Sequence, residues 1–391
     1  IRHLMQPKKS AERIVLNGDE AIALGALAAG CKFISAYPMT PTTPIIEYMA
    51  SKEKDLNLVV VQPEDEISAI NMIIGASYAG ARSMTATSGG GFCLMVEGFG
   101  LAGMTETPIV IAYGQRPGPA IGLPTRMEQG DLQFVLRASH GEFPRAVFAP
   151  ATIEDAFWLT IKAFNVADKY QIPVVILFDH HLADSYNTVN RFDIGNVVVD
   201  HGLILRSDEL EKLPTYQRYA ITKSGVSPRA FPLASKALVI TDSDEHGEDG
   251  HMIEDAETRI RMMQKRMRKQ FSLKQDMSQP KIYGPQKADT TLIGWGSTYG
   301  PLTEAIDILH SEKISANLIH YSEIWPFNSE VISDALNNAK YSYVVENNFT
   351  GQFADLIAQE TGKLVSGNIL KYDGRPFSPE YIVREIKKAG C

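Results

Sequence analysis

Apolar residues along the chain fall into two kinds of run, and the two alternate. Short, nearly uninterrupted runs, "NLVVVQ" (Asn57 to Gln62), "SMTATS" (Ser83 to Ser88), "PIVIAYG" (Pro108 to Gly114) and "PVVILFD" (Pro173 to Asp179), are separated by longer stretches with apolar residues three and four apart. The short runs predict strands, and the long stretches predict helices over 19–29, 65–81, 92–104 and 152–170. Strands that are apolar at nearly every position must be covered on both faces, which predicts a parallel sheet with helices on either side. Ligands of such sheets sit at the carboxyl ends of the strands.

From Asn190 to Lys287 the alternation lapses into Asp, Glu, Arg, Met and Pro, and only Glu257 to Gln270 keeps helical spacing. It resumes with "TTLIGWG" (Thr290 to Gly296), a helix over 301–311, "SANLIHY" (Ser315 to Tyr321), a helix near 329–338 and "YSYVVEN" (Tyr341 to Asn347). The expected organisation is an α/β domain over residues 10–189, a long connection with one amphipathic helix over 190–287, and a smaller α/β domain over 288–391. A chain of 391 residues suits two cores.

Composition removes several function classes. The formal net charge is −8, and no basic stripe is available to neutralise phosphates, so nucleic acid is not an expected partner. The one dense basic run, Arg259 to Lys269, is interleaved with Met and Ile at helical spacing and reads as a solvated amphipathic helix. No window approaches the eighteen apolar residues of a membrane span and no secretory leader opens the sequence, so the expected location is the cytoplasm, away from membranes. Cys31, Cys93 and Cys391 form no CxxC pair, which fits reduced thiols and leaves this chain without the ligands for a four-cysteine cluster or a structural zinc.

Four stretches carry candidate chemistry. In "SAYPMTPTTPII" (Ser35 to Ile46) prolines at 38, 41 and 44 rule out helix interior and central strand, leaving a stiff loop with hydroxyls at Tyr37, Thr40, Thr42 and Thr43. It is either a plain connection or a wall holding hydroxyls against a ligand. "TSGGGF" ends a strand and opens a helix, so the amides of Gly89, Gly90 and Gly91 are a candidate anion cradle, with close helix-to-strand packing as the alternative. The glycine pattern of a dinucleotide fingerprint is incomplete there, which argues against a nicotinamide-linked dehydrogenase.

In "PEDEISAINMIIGASYAGA", Glu64, Asp65 and Glu66 stand at a helix N-terminus, where any of them could act as a cap. Glu66 also lies nine residues before Gly75 across a largely apolar stretch, which makes it a candidate acid–base group. "GQRPGPAIGLPTRMEQGDL" (Gly114 to Leu132) follows a strand, placing Arg116 where it could grip a carboxylate; a bridge to Glu128 or Asp131 is the alternative. "DSDEHGEDGH" (Asp242 to His251) reads as a solvated turn rather than a metal site.

Taken together these stretches resemble the α subunits of the 2-oxoacid:ferredoxin oxidoreductases, most closely the 2-oxoglutarate branch (2-oxoglutarate synthase). "YPMTP" (Tyr37 to Pro41) is similar to that family's YPITP loop, the Glu64–Phe92 region to its thiamin pyrimidine-binding segment, and "GQRPGP" with "GLPTRMEQGDL" to its substrate-carboxylate loop. "LIGWGSTYG", "WPF" and "VVENNFTGQ" resemble its transketolase C-terminal-like domain.

The resemblance implies a thiamin diphosphate-binding fold followed by that smaller domain. It implies Glu66 at N1′ of the aminopyrimidine, Gly89 and Gly90 at the cofactor, and Thr40, Arg116 and Tyr37 at the 2-oxoacid. It implies oxidative decarboxylation of 2-oxoglutarate with coenzyme A to succinyl-CoA, CO2 and reduced ferredoxin, or the reverse carboxylation.

Gly130-Asp131 does not complete the G-D-G motif of a diphosphate site, and its first later Asn is Asn165. The resemblance therefore puts diphosphate, Mg2+ and a 4Fe-4S cluster on a β subunit, in an expected (αβ)2 assembly. A γ-type domain, fused ahead in many relatives, is not seen before Ser10 in this sequence, which leaves a separate chain, its absence, or a preceding segment outside this sequence as the expectations. The loop departs from the family's G-G-P-S-T-G run: Ile121 stands where a threonine is usual, removing a hydroxyl contact. Pyruvate or branched-chain 2-oxoacid enzymes, and a non-catalytic scaffold subunit, are the alternatives.

Overall fold

The structure, a computed structural model, describes residues 12–390; Ser10, from which the first domain was drawn, and Cys391 lie outside them. In chain order the first part comprises β1 (Arg13–Leu16), α1 (Gly18–Ala28), β2 (Phe33–Ser35), α2 (Thr43–Ser51), α3 (Glu53–Leu56), β3 (Val59–Val61), α4 (Glu66–Tyr78), β4 (Ser83–Thr87), α5 (Gly89–Met104) and β5 (Ile109–Gln115). It continues with α6 (Leu132–Arg137), β6 (Ala146–Phe148), α7 (Ile153–Tyr170), β7 (Pro173–Asp179), α8 (His180–Asp184) and β8 (Asn187–Asn190). After α9 (Ser207–Leu210) and the long α10 (Ala256–Asp276) come β9 (Lys281–Tyr283), β10 (Thr290–Trp295), α11 (Tyr299–Ser311), β11 (Ala316–Tyr321), β12 (Glu323–Trp325), α12 (Glu330–Asn338), β13 (Tyr341–Glu346), α13 (Gln352–Thr361), β14 (Gly367–Leu370) and α14 (Pro379–Lys388).

Seven strands form the first sheet in the order β12-β6-β7-β5-β4-β2-β3, parallel except for β12. β5 and β7 are buried along their whole length. On β5, Val110 and Ala112 face the cluster with α1 and α7, while Ile109, Ile111 and Tyr113 face the cluster with α4 and α5. Two apolar faces are what a continuous apolar run requires, and this is the physical reason the sheet is parallel and covered twice.

The second sheet runs β14-β13-β10-β11-β9, with only β9 antiparallel. Its inner face shares a single hydrophobic cluster with the first unit, where Trp295, Tyr321 and Phe353 meet the residues around Phe92 and Tyr113. Two strands cross the expected boundaries. β9, inside the stretch read as connection, pairs with β11, and β12, from the smaller unit, pairs with β6 of the large sheet. Each is three residues long, too short to leave a periodic signal.

The connection also differs from its reading as solvated chain. α10 turns its basic face inward: Lys265, Arg266 and Lys269 are all buried. The counter-charges come from elsewhere. Glu106 takes Lys265 at 2.5 Å and also Lys269, and Glu245 takes Arg266 in a two-pronged pair. Glu245 and His246 belong to the stretch read as a solvated turn, yet His246 is fully buried and lies against the Tyr219 ring, 4.0 Å between centroids. Among the described residues no helix is long and apolar enough to cross a membrane, and no three His, Cys, Asp or Glu side chains gather as metal ligands.

Candidate functional site

The carboxyl ends of β5, β4, β2 and β3 lie side by side in that order, and the candidate residues sit on the segments that leave them: Tyr37 and Thr40 after β2, Glu66 after β3, Gly89 and Gly90 after β4, and Arg116 after β5. After β2 the proline-rich run turns back through Thr42, whose amide and hydroxyl both donate to the Met39 carbonyl, at 2.8 and 2.9 Å. Pro44 then falls in the first turn of α2, where its missing N–H breaks no helical bond. The stiff loop thus ends as a helix start at Thr43, earlier than its prolines suggested. Thr42 spends its hydroxyl internally, while Tyr37 and Thr40 are left exposed.

Arg116, just past β5, reaches this loop and donates from Nη1 to the Thr40 carbonyl at 2.8 Å. Among the described residues it makes no ion pair, so the expected alternative of a bridge to Glu128 or Asp131 does not form. The approach depends on Gly114: a Cβ there would lie 2.7 Å from Pro41 Cγ and 2.8 Å from Thr42 Cγ2. Loop and strand are therefore in direct contact, and Thr40 and Arg116 are brought together.

The three acids before α4 divide their roles. Asp65 is the cap, accepting from the Ser68 amide at 2.7 Å, and that bond holds its carboxyl below the usual range. Glu64 is exposed. Glu66, in the first helical turn, points inward, is 4 % exposed, and its Oε1 has no hydrogen-bond partner. The capping role is filled by its neighbour. A buried carboxylate oxygen without a partner costs several kcal/mol, of order 1–3 for a neutral group and more for a charged one, so this atom calls for a ligand.

Glu66 lies against the start of α5. That helix begins at Gly89, three residues earlier than its apolar spacing indicated, because the three glycines form its first turn. Gly91 is the one that touches Glu66: a Cβ on it would sit 2.5 Å from Glu66 Oε1 and 2.8 Å from its Cγ, and would strike Thr87 Oγ1. Gly90 is open to space, and Gly89 faces Asp131, whose Oδ2 would be 3.0 Å from a Cβ there. Sequence reasoning named Gly89 and Gly90 for the cofactor and missed the closer role of Gly91; one-residue resolution within a glycine run needs the helix phase.

Asp131 was set aside as a diphosphate ligand but belongs to this site in another way. Its Oδ2 accepts from the Tyr113 hydroxyl at 2.9 Å and its amide donates to Gln115 Oε1 at 3.1 Å. Burial raises its carboxyl above the usual range, and the Tyr113 bond pulls it back in part. Gln115 Nε2 and the Ser88 hydroxyl, both buried, have no partners. An unpaired carboxylate oxygen on Glu66 and an unpaired hydroxyl on Ser88 thus stand at the first turn of α5, and Gln115, bonded to Asp131 beside that turn, keeps an unpaired donor. A heteroaromatic ring carrying both ring nitrogens and an amino group matches this set, so the residues present fit the aminopyrimidine that the family resemblance implies.

Comparisons with known proteins bear on the family and the fold. Residues 24–265 match the family described as pyruvate flavodoxin/ferredoxin oxidoreductase, thiamine diphosphate-binding, and residues 283–373 match the transketolase C-terminal domain. The chain is 39 % identical over 394 residues to "2-oxoacid:ferredoxin oxidoreductase 1, subunit alpha" of Sulfurisphaera tokodaii, covering 96 % of this chain and 61 % of that protein. It therefore spans about three fifths of that relative's length. It is 31 % identical to the "2-oxoglutarate synthase subunit KorA" of Methanothermobacter marburgensis, covering 96 % of this chain and 98 % of the relative. The 2-oxoglutarate:ferredoxin oxidoreductase of Magnetococcus marinus, solved with 2-oxoglutarate, coenzyme A and succinyl-CoA bound, superposes with a TM-score of 0.93 at 35 % identity, over 98 % of this chain and 66 % of that one.

Proposed function

The chain belongs to the 2-oxoacid:ferredoxin oxidoreductase α-subunit family and has its thiamin diphosphate-binding fold with a transketolase C-terminal domain, and from that premise we propose that it supplies the pyrimidine half of a thiamin diphosphate site in an enzyme acting on 2-oxoglutarate. The observation that carries the proposal is the Glu66 carboxylate, buried, unpaired at Oε1 and relieved of capping by Asp65. When bound, thiamin diphosphate supplies the carbon nucleophile and electron sink for removing CO2 from a 2-oxoacid. Glu66 would hold the proton at a nitrogen of the aminopyrimidine, with Ser88 and Gln115 as further polar contacts. Gly89 and Gly90 would present helix amides to the cofactor, and Gly91 leaves the room in which Glu66 stands.

Arg116 is oriented through its bond to Thr40, which leaves the rest of its guanidinium free for a substrate carboxylate. Thr40 and Tyr37 are exposed on the loop that Arg116 contacts. In this reading Mg2+, the diphosphate contacts and a 4Fe-4S cluster lie on a β subunit, the assembly is (αβ)2 and cytoplasmic, a γ-type subunit completes it, and ferredoxin and coenzyme A are the co-substrates. The KorA relatives and the M. marinus neighbour support 2-oxoglutarate. Ile121, an exposed apolar side chain on the Arg116 loop, favours pyruvate or a branched-chain 2-oxoacid as the second reading.

The test is reconstitution with the cognate partner and assay of coenzyme A-dependent dye reduction with 2-oxoglutarate, pyruvate and 2-oxoisovalerate in parallel. The proposal expects kcat/KM highest for 2-oxoglutarate and a rise in KM of at least tenfold for Arg116→Ala. A higher kcat/KM for either competitor replaces the substrate assignment, and no turnover with any of the three supports the scaffold alternative.

A further inference from the structure

Among the described residues no titratable side chain of the smaller domain bonds to Glu66, Arg116 or Asp131, yet that domain grips the loop that starts at Arg116. Gln129, on the return leg of the loop that starts at Arg116, is fully buried. Its Nε2 donates to the Trp295 carbonyl at 3.0 Å and its Oε1 accepts from the Asn347 amide at 3.1 Å. Its own amide donates to the Asn347 carbonyl at 2.7 Å, and its carbonyl accepts from Asn348 Nδ2 at 3.0 Å. All four partners are at the carboxyl ends of β10 and β13, so every polar group of Gln129 is used by the second sheet.

The grip continues along the chain. Gln352, at the start of α13, donates to the Gly130 carbonyl at 2.5 Å and accepts from the Gln133 amide at 2.9 Å. Between these anchors stands Asp131, which meets Tyr113, Gln115 and the Gly89 turn. The outward leg of the loop, residues 118–123, is exposed and has few such ties. The loop is rooted at Arg116 by the end of β5 and the Thr40 bond, and beyond that point the exposed leg takes its course from the return leg that is fixed.

We infer that Gln129 is a positioning residue for the reaction: it fixes the return leg of the Arg116 loop to the second sheet, so that the smaller domain acts by steadying the loop that carries the substrate-binding arginine. This rests on the reading of Arg116 as the substrate-carboxylate contact. The anchoring itself is a property of the loop and can be measured without turnover.

The experiment compares wild type, Gln129→Met, Gln352→Met, Arg116→Ala and the Q129M/R116A double variant, each in complex with the cognate partner. Hydrogen–deuterium exchange of residues 117–131 reports the anchor. KM and kcat for the 2-oxoacid, and the Kd of thiamin diphosphate, report its consequence. The inference expects Q129M to speed exchange in that loop alone and to raise KM about tenfold, or about 1.4 kcal/mol, with kcat and thiamin diphosphate Kd within twofold of wild type. Q352M is expected to shift the same quantities less, and it carries the test if Q129M does not fold.

Arg116→Ala should raise KM without speeding exchange, and the double variant should be no worse in KM than R116A alone. Unchanged loop exchange in Q129M and Q352M overturns the anchoring. Faster exchange with KM effects that add to those of R116A overturns the route through Arg116. If the wild-type complex turns over no 2-oxoacid, the proposed function fails, and the exchange data alone then uphold or overturn the anchoring.

Discussion

Substituting Gly91 by alanine tests the construction of the site at its tightest point. The added methyl would stand 2.5 Å from Glu66 Oε1 and 2.8 Å from its Cγ, and would also collide with Thr87 Oγ1. Thr87 is buried on β4 and cannot withdraw, so relief must come from Glu66 or from the first turn of α5. Forcing a methyl into a filled space costs about 1–3 kcal/mol, against which alanine returns up to about 1 kcal/mol of helix propensity over glycine. The net expectation is a loss of about 1–2 kcal/mol and, for a chain of 391 residues, a fall of roughly 1–3 °C in the thermal midpoint.

The functional effect of Gly91→Ala should be larger, because a shift of roughly 1 Å in a catalytic group can cost on the order of a hundredfold in rate. Gly90→Ala is the matched control for stability, since nothing lies within 4 Å of its Cβ position. Thermal melting of the chain and calorimetric titration of thiamin diphosphate into the partner complex measure the two effects. G91A should lose stability and at least tenfold in cofactor affinity, while G90A should melt no lower than wild type. Melting of G91A identical to that of G90A, with cofactor affinity equal to wild type, would refute the claim that Gly91 makes room for Glu66.

Two further predictions concern the buried charges under α10. Burial opposes ionisation of Glu106, but Lys265, Lys269 and Arg218 together hold it well below the usual carboxylate range. Glu106→Gln leaves three cations facing no carboxylate and should destabilise the chain by about 3–5 kcal/mol in a chemical denaturation series; a loss below about 1 kcal/mol would mean that the cluster is solvated. Burial, partly offset by Glu106, lowers Lys265 from 10.5 to about 7. Between those values the unfolded chain binds a proton that the folded chain does not, so stability should rise with pH from about 7 towards 10.5. The slope is at most about 1.4 kcal/mol per pH unit. Lys265→Met should flatten that slope, and an unchanged slope would assign it to another group.

The large sheet was legible because strands buried on both faces, such as β5 and β7, write an unbroken apolar run into the sequence. Glu66 and Arg116 stood out because motif spacing placed them after strands. The start of α5 was not legible: three glycines disfavour helix locally, and only the contact of Gly91 with Glu66 and Thr87 explains their use as a first turn. Nor was the inward turn of the α10 basic face, because Glu106 lies about 160 residues before Lys265 and carries no mark of that pairing. Gln129 was invisible for a similar reason, since its four partners belong to the other sheet.

Glu66→Gln provides the most direct test, because glutamine keeps the shape and packing of the side chain and removes its capacity to hold and return a proton. The measurement is 2-oxoacid-dependent reduction of a viologen dye, with coenzyme A present, by the complex of this chain with its cognate partner. Thermal melting runs in parallel. The account predicts a fall in kcat of on the order of a hundredfold or more with a melting temperature equal to or above that of wild type. A variant that melts like wild type and reduces dye within twofold of its rate would contradict the assignment of Glu66 to the cofactor.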